Sequence, residues 1–360
     1  MSYGMTCPKC GLMQLAAPTC KSCGAHLGGE ATVPTSRPAK AQKTDASAPP
    51  PPGSARTEAT SSGSNEDQIH RLVFHGTGGS LFGISIVNTF LTIITLGIYY
   101  YFWGKVRVRS YLLSQAEFDG DRFAYHGTGK ELLLGTLKAA VLFFLPIFGL
   151  RFLAGLPGVP PAVRIVAGFL ASSAILIVIP LAMVGARRYR LSRTSWRGIR
   201  FSFRGRAWEF VRLFIRGSLL SGLTLGLYYP FFDTRRHAFF VSHSYFGSQK
   251  CEFDGEGKQL FGSFLLALVL LPFTLGVSWL WYLAKKQRYF WEHTLFEGAA
   301  FRYPVTGGKL LRLYLGNLLL LLVTLGLAWS WVTVRTIRFS FRYLTLEGPL
   351  DLTAIQQEAQ

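Results

Sequence analysis

The sequence predicts an all-α polytopic membrane bundle built from about five tandem repeats, with short interfacial β-hairpins between the repeats. Three observations carry that expectation. Of 360 residues, 49% are hydrophobic and only 16% charged, whereas soluble chains run near 25% charged. The apolar residues are clustered: Leu81–Trp103, Ile165–Ala186, Gln259–Ala284 and Leu313–Val334 contain no Asp, Glu, Lys or Arg. Each is long enough to cross a hydrocarbon core of about 30 Å at about 1.5 Å per helical residue. The third observation is a recurring motif, described below. A soluble enzyme with one buried core is excluded by this composition, and five cysteines are too few for a secreted disulfide scaffold.

In chain order, residues 1–28 carry Cys7-Pro-Lys-Cys10-Gly and Cys20-Lys-Ser-Cys23-Gly. Two Cys-x-x-Cys knuckles, each followed by glycine, supply four thiolates for one tetrahedral structural Zn. Cys7, Cys10, Cys20 and Cys23 are therefore the expected metal ligands of a small N-terminal zinc ribbon, and His26 is left as a solvated side chain. No basic start followed by an apolar stretch marks a secretory signal, and zinc-bound thiolates fit a reducing compartment. Both place this end in the cytosol. Residues 29–68 turn to Ala, Pro, Ser, Thr and Gly, including Pro49–Pro52. Such a segment cannot bury enough surface to offset its ordering entropy and reads as a disordered linker.

Residues 69–352 form the expected repeat-built transmembrane domain, with 353–360 as a tail. Taking the glycine of His75-Gly-Thr-Gly78 as origin, related starts fall at Gly127, Gly205, Gly255 and Val305, spaced 51, 78, 50 and 50 residues apart. Twenty-one positions after four of these origins a Thr-Leu-Gly triplet ends, at Gly97, Gly226, Gly276 and Gly326. The second unit lacks the triplet and carries an insertion of about 28 residues, about one extra membrane helix. After each break the chain becomes aromatic, then basic, as in Tyr99–Tyr101 with Trp103 before Lys105 and Arg107. A short aromatic pattern follows, such as Phe118-x-Gly120-x-x-Phe123-x-Tyr125, which reads as a β-hairpin.

The net charge of +19 is explained by Lys and Arg flanking apolar segments; a nucleic-acid partner is disfavoured. Aromatics followed by cations match a membrane interface meeting anionic headgroups, so membrane lipids are the expected partners, with a cytosolic protein as a possible partner of the ribbon. Topology resists simple counting. One helix per unit plus the insertion gives about six crossings, yet the basic cluster follows the apolar stretch in every unit, which alternating single crossings cannot satisfy. Either each unit folds back at Thr-Leu-Gly, or the units are inverted repeats; cytosolic N- and C-termini are preferred.

Catalytic candidates are weak. His75-Gly-Thr-Gly-Gly79 resembles an oxyanion loop, but the histidine position becomes Arg204, Asp254 and Pro304 in later units, so a connecting turn is the better reading. His243 and His293 occupy equivalent positions and would form a pair if their units packed symmetrically. Carboxylates, among them Glu131, Glu209, Asp233 and Glu292, are placed at unit boundaries or in loops, away from the apolar segments where pumps and intramembrane hydrolases carry them. Asn88 and Asn317 are assigned to helix–helix hydrogen bonding.

From about Arg71 to Leu352 the chain resembles the YjgN-like family of bacterial inner-membrane proteins, a domain of unknown function (898). The resemblance rests on Phe74-His-Gly-Thr-Gly78, Thr95-Leu-Gly-Ile-Tyr99 with Trp103, Lys105 and Arg107, Phe118-Asp-Gly120, and Thr224-Leu-Gly-Leu-Tyr-Tyr-Pro230 with Arg235. It implies a multi-pass protein of the inner membrane and no particular activity. The expected function is accordingly a non-enzymatic transport or lipid-handling bundle whose zinc ribbon recruits a partner, with an intramembrane enzyme acting on lipid as the alternative.

Overall fold

The computed structural model describes residues 69–350 throughout, the backbone of two short N-terminal strands, and positions 355 and 357. The chain divides into two compact units, 1–61 and 62–360. In the first, β1 (Gly4–Thr6) pairs antiparallel with β2 (Met13–Leu15). The four cysteines assigned to zinc lie outside the described residues.

The second unit corrects the expected all-α bundle. Ten short strands, β3 (Ile69–Phe74) through β12 (Thr345–Glu347), join into one closed antiparallel barrel, with β12 paired to β3 and β9 to β10. Isolated two-stranded hairpins are marginal in water and present bare edges. Here the second strand of each hairpin pairs with the first strand of the next, and closure leaves no edge. The aromatic pattern explains why. Across neighbouring hairpins the register sets Phe123 opposite Trp196, Phe201 opposite Phe246, and Phe301 opposite Leu346. Phe118, Trp196, Phe246 and Phe296 then follow one another as tilted ring pairs at separations of 5.3 to 6.3 Å. This aromatic cluster takes in Leu350 and, from the tail, Ile355.

Between successive barrel hairpins the chain leaves the barrel as helix and returns to it. Unit one contributes α1 (Gly78–Ile94), then a π-helical turn (Tyr100–Gly104) running into α2 (Lys105–Ser114). Unit two is longer: α3 (Gly129–Ala139) continues through a π turn into α4 (Leu145–Gly155), and α5 (Pro161–Ser192) returns. Units three to five contribute α6 (Ala207–Leu223) and α7 (Tyr229–Ser242), α8 (Gly257–Leu270) and α9 (Val277–Glu292), and α10 (Gly307–Val323) and α11 (Trp329–Tyr343).

The count of about six crossings is also corrected. Among the described residues, only the helical stretches Gly129–Gly155 and Pro161–Ser192 are long and apolar enough to cross a membrane. Elsewhere an apolar run such as Gln259–Ala284 is folded in two at its Thr-Leu-Gly, so neither arm keeps the length that the uninterrupted sequence suggests.

Glycines at the unit starts fit the hairpins together. A Cβ on Gly78 would lie 2.3 Å from Trp331, one on Gly129 2.6 Å from Trp103, and one on Gly307 2.5 Å from Trp281. The aromatic that follows one unit's break thus lies against the bare backbone opening the next unit, and Trp331 on Gly78 closes the ring from last unit to first.

Candidate membrane and lipid interface

Thr-Leu-Gly builds the tip of four hairpins in one way. Leu96, Leu225, Leu275 and Leu325 sit at φ of 48–50°, and the glycines after them at 85–93°. These two left-handed residues reverse the chain. Glycine adopts such a φ at no steric cost, whereas leucine does so under strain. The threonine closes the backbone: Thr224 Oγ1 donates to the Leu220 carbonyl at 2.7 Å and accepts from the Tyr228 N–H at 3.0 Å. Gly226 N–H reaches Ser221 O, and Leu227 N–H reaches Thr224 O. The same threonine pair of bonds recurs at Thr95, Thr274 and Thr324. The reversal therefore meets most of its own N–H donors, while the four leucines are 93–94% exposed. A bare leucine on a reversal that internalises most of its N–H groups suits hydrocarbon better than an open turn, because an unmet N–H or C=O there costs several kcal/mol.

Behind the tips the side chains change in a fixed order. Exposed apolar residues such as Ile93, Leu223, Phe273 and Val323 flank them. Aromatics follow on the returning arm, and the cations come next: Lys105 lies over the Tyr101 ring at 4.1 Å, and Arg235 donates to the Tyr228 hydroxyl at 2.8 Å. Because every returning arm ends in a barrel strand, all these basic clusters share the barrel side of the hairpins.

Sequence reasoning missed a polar cluster in that belt. Asp233 was expected at a unit boundary, but it lies within α7 and is only 2% exposed. It pairs with Arg236 on its own helix and with Lys286 of α9 at 3.1 Å, tying unit three to unit four. Its position seven residues after Gly226, one helical turn short of the basic cluster, was the available signal.

Two grooves open among the hairpins. One, of about 340 Å³, is lined by Arg212, Arg216, Tyr228 and Arg235, together with Glu209. The other, of about 790 Å³, lies between α8, α9 and the start of α10, with Lys285 and Arg288 at its cationic end.

The other sequence candidates fall separately. Thr77 of His75-Gly-Thr-Gly caps α1 by accepting from Ser80 N–H, so the motif is a connecting turn, and His75 binds Glu117 at 2.9 Å. His243 and His293 do not pair: Nδ1 of His243 bonds the Phe239 carbonyl, while that of His293 bonds Asp254 at 2.7 Å. Asn317 donates to Thr336 across its own hairpin, and Asn88 makes a longer contact to the Gly104 carbonyl. Among the described residues no group of three or more His, Cys, Asp or Glu could hold a metal.

Residues 69–277 and 263–360 match the family described as "Bacterial protein of unknown function (DUF898)". The chain is similar to Inner membrane protein YjgN of Salmonella typhimurium, with 32% identity over 151 residues, 41% of this chain and 35% of that protein. It is also similar to Inner membrane protein YjgN of Escherichia coli strain K12, with 38% identity over 134 residues, 37% of this chain and 31% of that protein. The matched stretch spans about a third of these curated relatives. No solved structure matches.

Proposed function

The chain belongs to the DUF898 family of bacterial proteins of unknown function, and from that premise we propose that it is a lipid-handling, non-enzymatic protein of the inner membrane. The barrel and all basic clusters face the cytosol, as do both termini. Unit two crosses the bilayer and returns. The other four hairpins enter from the cytosolic side and turn back inside the hydrocarbon.

One observation carries this reading: four tips that expose leucine almost completely while turning most of their reversal N–H donors back onto their own turn. The distances agree. From Gly226 to Arg235, and from Gly276 to Lys285, the chain advances nine residues, about 13 Å of helix. That is about half of a hydrocarbon core, so a tip near the mid-plane leaves the cations at the headgroups. The arrangement displaces lipid from one leaflet and sets cations where that leaflet's phosphates lie. Cys7, Cys10, Cys20 and Cys23 complete the proposal as ligands of one structural Zn in a cytosolic module that recruits a protein partner; the paired strands flanking positions 7–12 are the frame such a knuckle needs.

The test is purification of the full chain in mild detergent, followed by native mass spectrometry through graded delipidation. Anionic lipids retained after zwitterionic ones have been stripped support lipid handling. Loss of both classes together, at the rate seen for an unrelated membrane helix pair, would overturn it.

A further inference from the structure

The larger groove has features that the general interface does not. At its barrel end stand Lys285, which is exposed, and Arg288. Among the described residues neither forms an ion pair, and the groove is lined by no carboxylate. Beside them begins α10, a 17-residue helix with Thr306 at its N-cap. The caps of α1 and α3 are closed, Thr77 and Thr128 accepting from the Ser80 and Glu131 N–H groups. Thr306 makes no such bond, and no acidic residue occupies the first turn of α10. Gly307 and Gly308 follow, the first under the Trp281 ring and the second with open space where a Cβ would be. The first-turn N–H groups thus lack a side-chain cap and carry the positive end of the helix dipole.

Tyr282 forms part of the groove wall but is only 2% exposed, its ring packed against Phe264 and Trp279. Toward the hairpin tip the lining becomes apolar, with Leu266, Leu270, Val277 and Trp281 all partly or largely exposed.

We propose that this groove holds one anionic phospholipid, its phosphate on Lys285, Arg288 and the open N-terminus of α10, its acyl chains along Leu266, Leu270 and Val277. The proposal rests on the membrane reading above and names its ligand. The guanidinium of Arg288 offers paired donors to a phosphate, Lys285 a point charge, and the helix terminus further N–H donors. A free anion would leave the apolar wall of the groove unused. A zwitterionic headgroup would bring its own cation against Lys285. The smaller groove of unit three is the natural control, since it holds three arginines but also Glu209.

The full chain is reconstituted in nanodiscs of zwitterionic lipid doped with phosphatidylglycerol or phosphatidylcholine carrying a photoactivatable diazirine on one acyl chain. Crosslinked peptides are mapped by mass spectrometry, with and without unlabelled competitor. The expected result is saturable crosslinking of the phosphatidylglycerol probe within residues 266–281. Lys285→Gln with Arg288→Gln should reduce it about tenfold or more, while Arg212→Gln with Arg216→Gln, an equal charge change, leaves it intact. Thermal unfolding shows that both variants are folded; if the first is not, Arg288→Lys, which keeps the charge but loses the fork, must still weaken crosslinking. Equal crosslinking by both probes, indifferent to Lys285 and Arg288, would overturn the site and leave the membrane reading standing. No acyl crosslink at any hairpin tip would overturn both. Competition by glycerol phosphate as strong as by the intact lipid would show a soluble-anion site and overturn the lipid assignment.

Discussion

Unit two and its four neighbours join the same barrel through similarly short strands, but the helices between those strands end differently. In unit two, α5 has 32 residues and contains the charge-free run Ile165–Ala186, about 33 Å of helix. Its tip, residues 156–160, includes Pro157 and Pro160 and lies between Arg151 and Arg164, with Arg151 bonded to Ser172. The other tips have no charge nearby, one threonine, and a reversal most of whose N–H donors are met internally. On the membrane reading proposed above, the first kind of tip suits a far aqueous face and the second hydrocarbon. The barrel therefore does not decide how deeply a unit reaches. Arm length and the chemistry of the reversal do.

The largest expected effect concerns what holds the short units together. Asp233→Asn leaves Lys286 and Arg236 without their carboxylate in a nearly closed site, and breaking a buried ion pair from one side costs about 3–5 kcal/mol. Thermal unfolding in nanodiscs should show this loss, and Asp233→Asn combined with Lys286→Met should recover part of it. Next, Leu225→Arg places a cation at a tip assigned to hydrocarbon and should destabilise by about 2.5–3.5 kcal/mol. Equal tolerance of that change and of an arginine at the unit-two tip would break the distinction between the tips. Thr224→Val sharpens it differently. The valine keeps the shape but removes the acceptor for the Tyr228 N–H, at about 1–3 kcal/mol where no water can substitute and close to nothing where water can. Smallest of all, Leu156→Arg, on the water-facing tip, should stay within about 0.5 kcal/mol of the parent.

Much of this was legible in the sequence, because five copies expose what one would hide. The offset of Thr-Leu-Gly marked the break, and the aromatic–basic order marked the arm that returns to the barrel. The alternating Phe118-x-Gly120-x-x-Phe123 pattern marked strands. What stayed hidden was pairing between units: period-two alternation says that Phe123 and Trp196 lie on strand faces, but only register shows that they oppose each other and close a barrel. Hydropathy windows likewise ignore a turn in the middle of an apolar run, so folded arms were counted as crossings. Asp233 was misplaced because a single carboxylate beside cations looks like a surface charge until a second helix brings Lys286 to it.

Accessibility at the tips tests the division between units most directly. Cysteines are placed singly at Leu96, Leu225, Leu275, Leu325 and Leu156, with the four N-terminal cysteines replaced by serine. Cys251 can remain, since burial pushes its thiol up to about 11 and keeps it protonated at neutral pH. A membrane-impermeant maleimide is applied to intact cells and, separately, to inverted vesicles. The account predicts that Leu156→Cys reacts from outside and that the four tip leucine positions react from neither face. Labelling of those four from outside, alongside Leu156→Cys, would show that every hairpin crosses the bilayer and would contradict it.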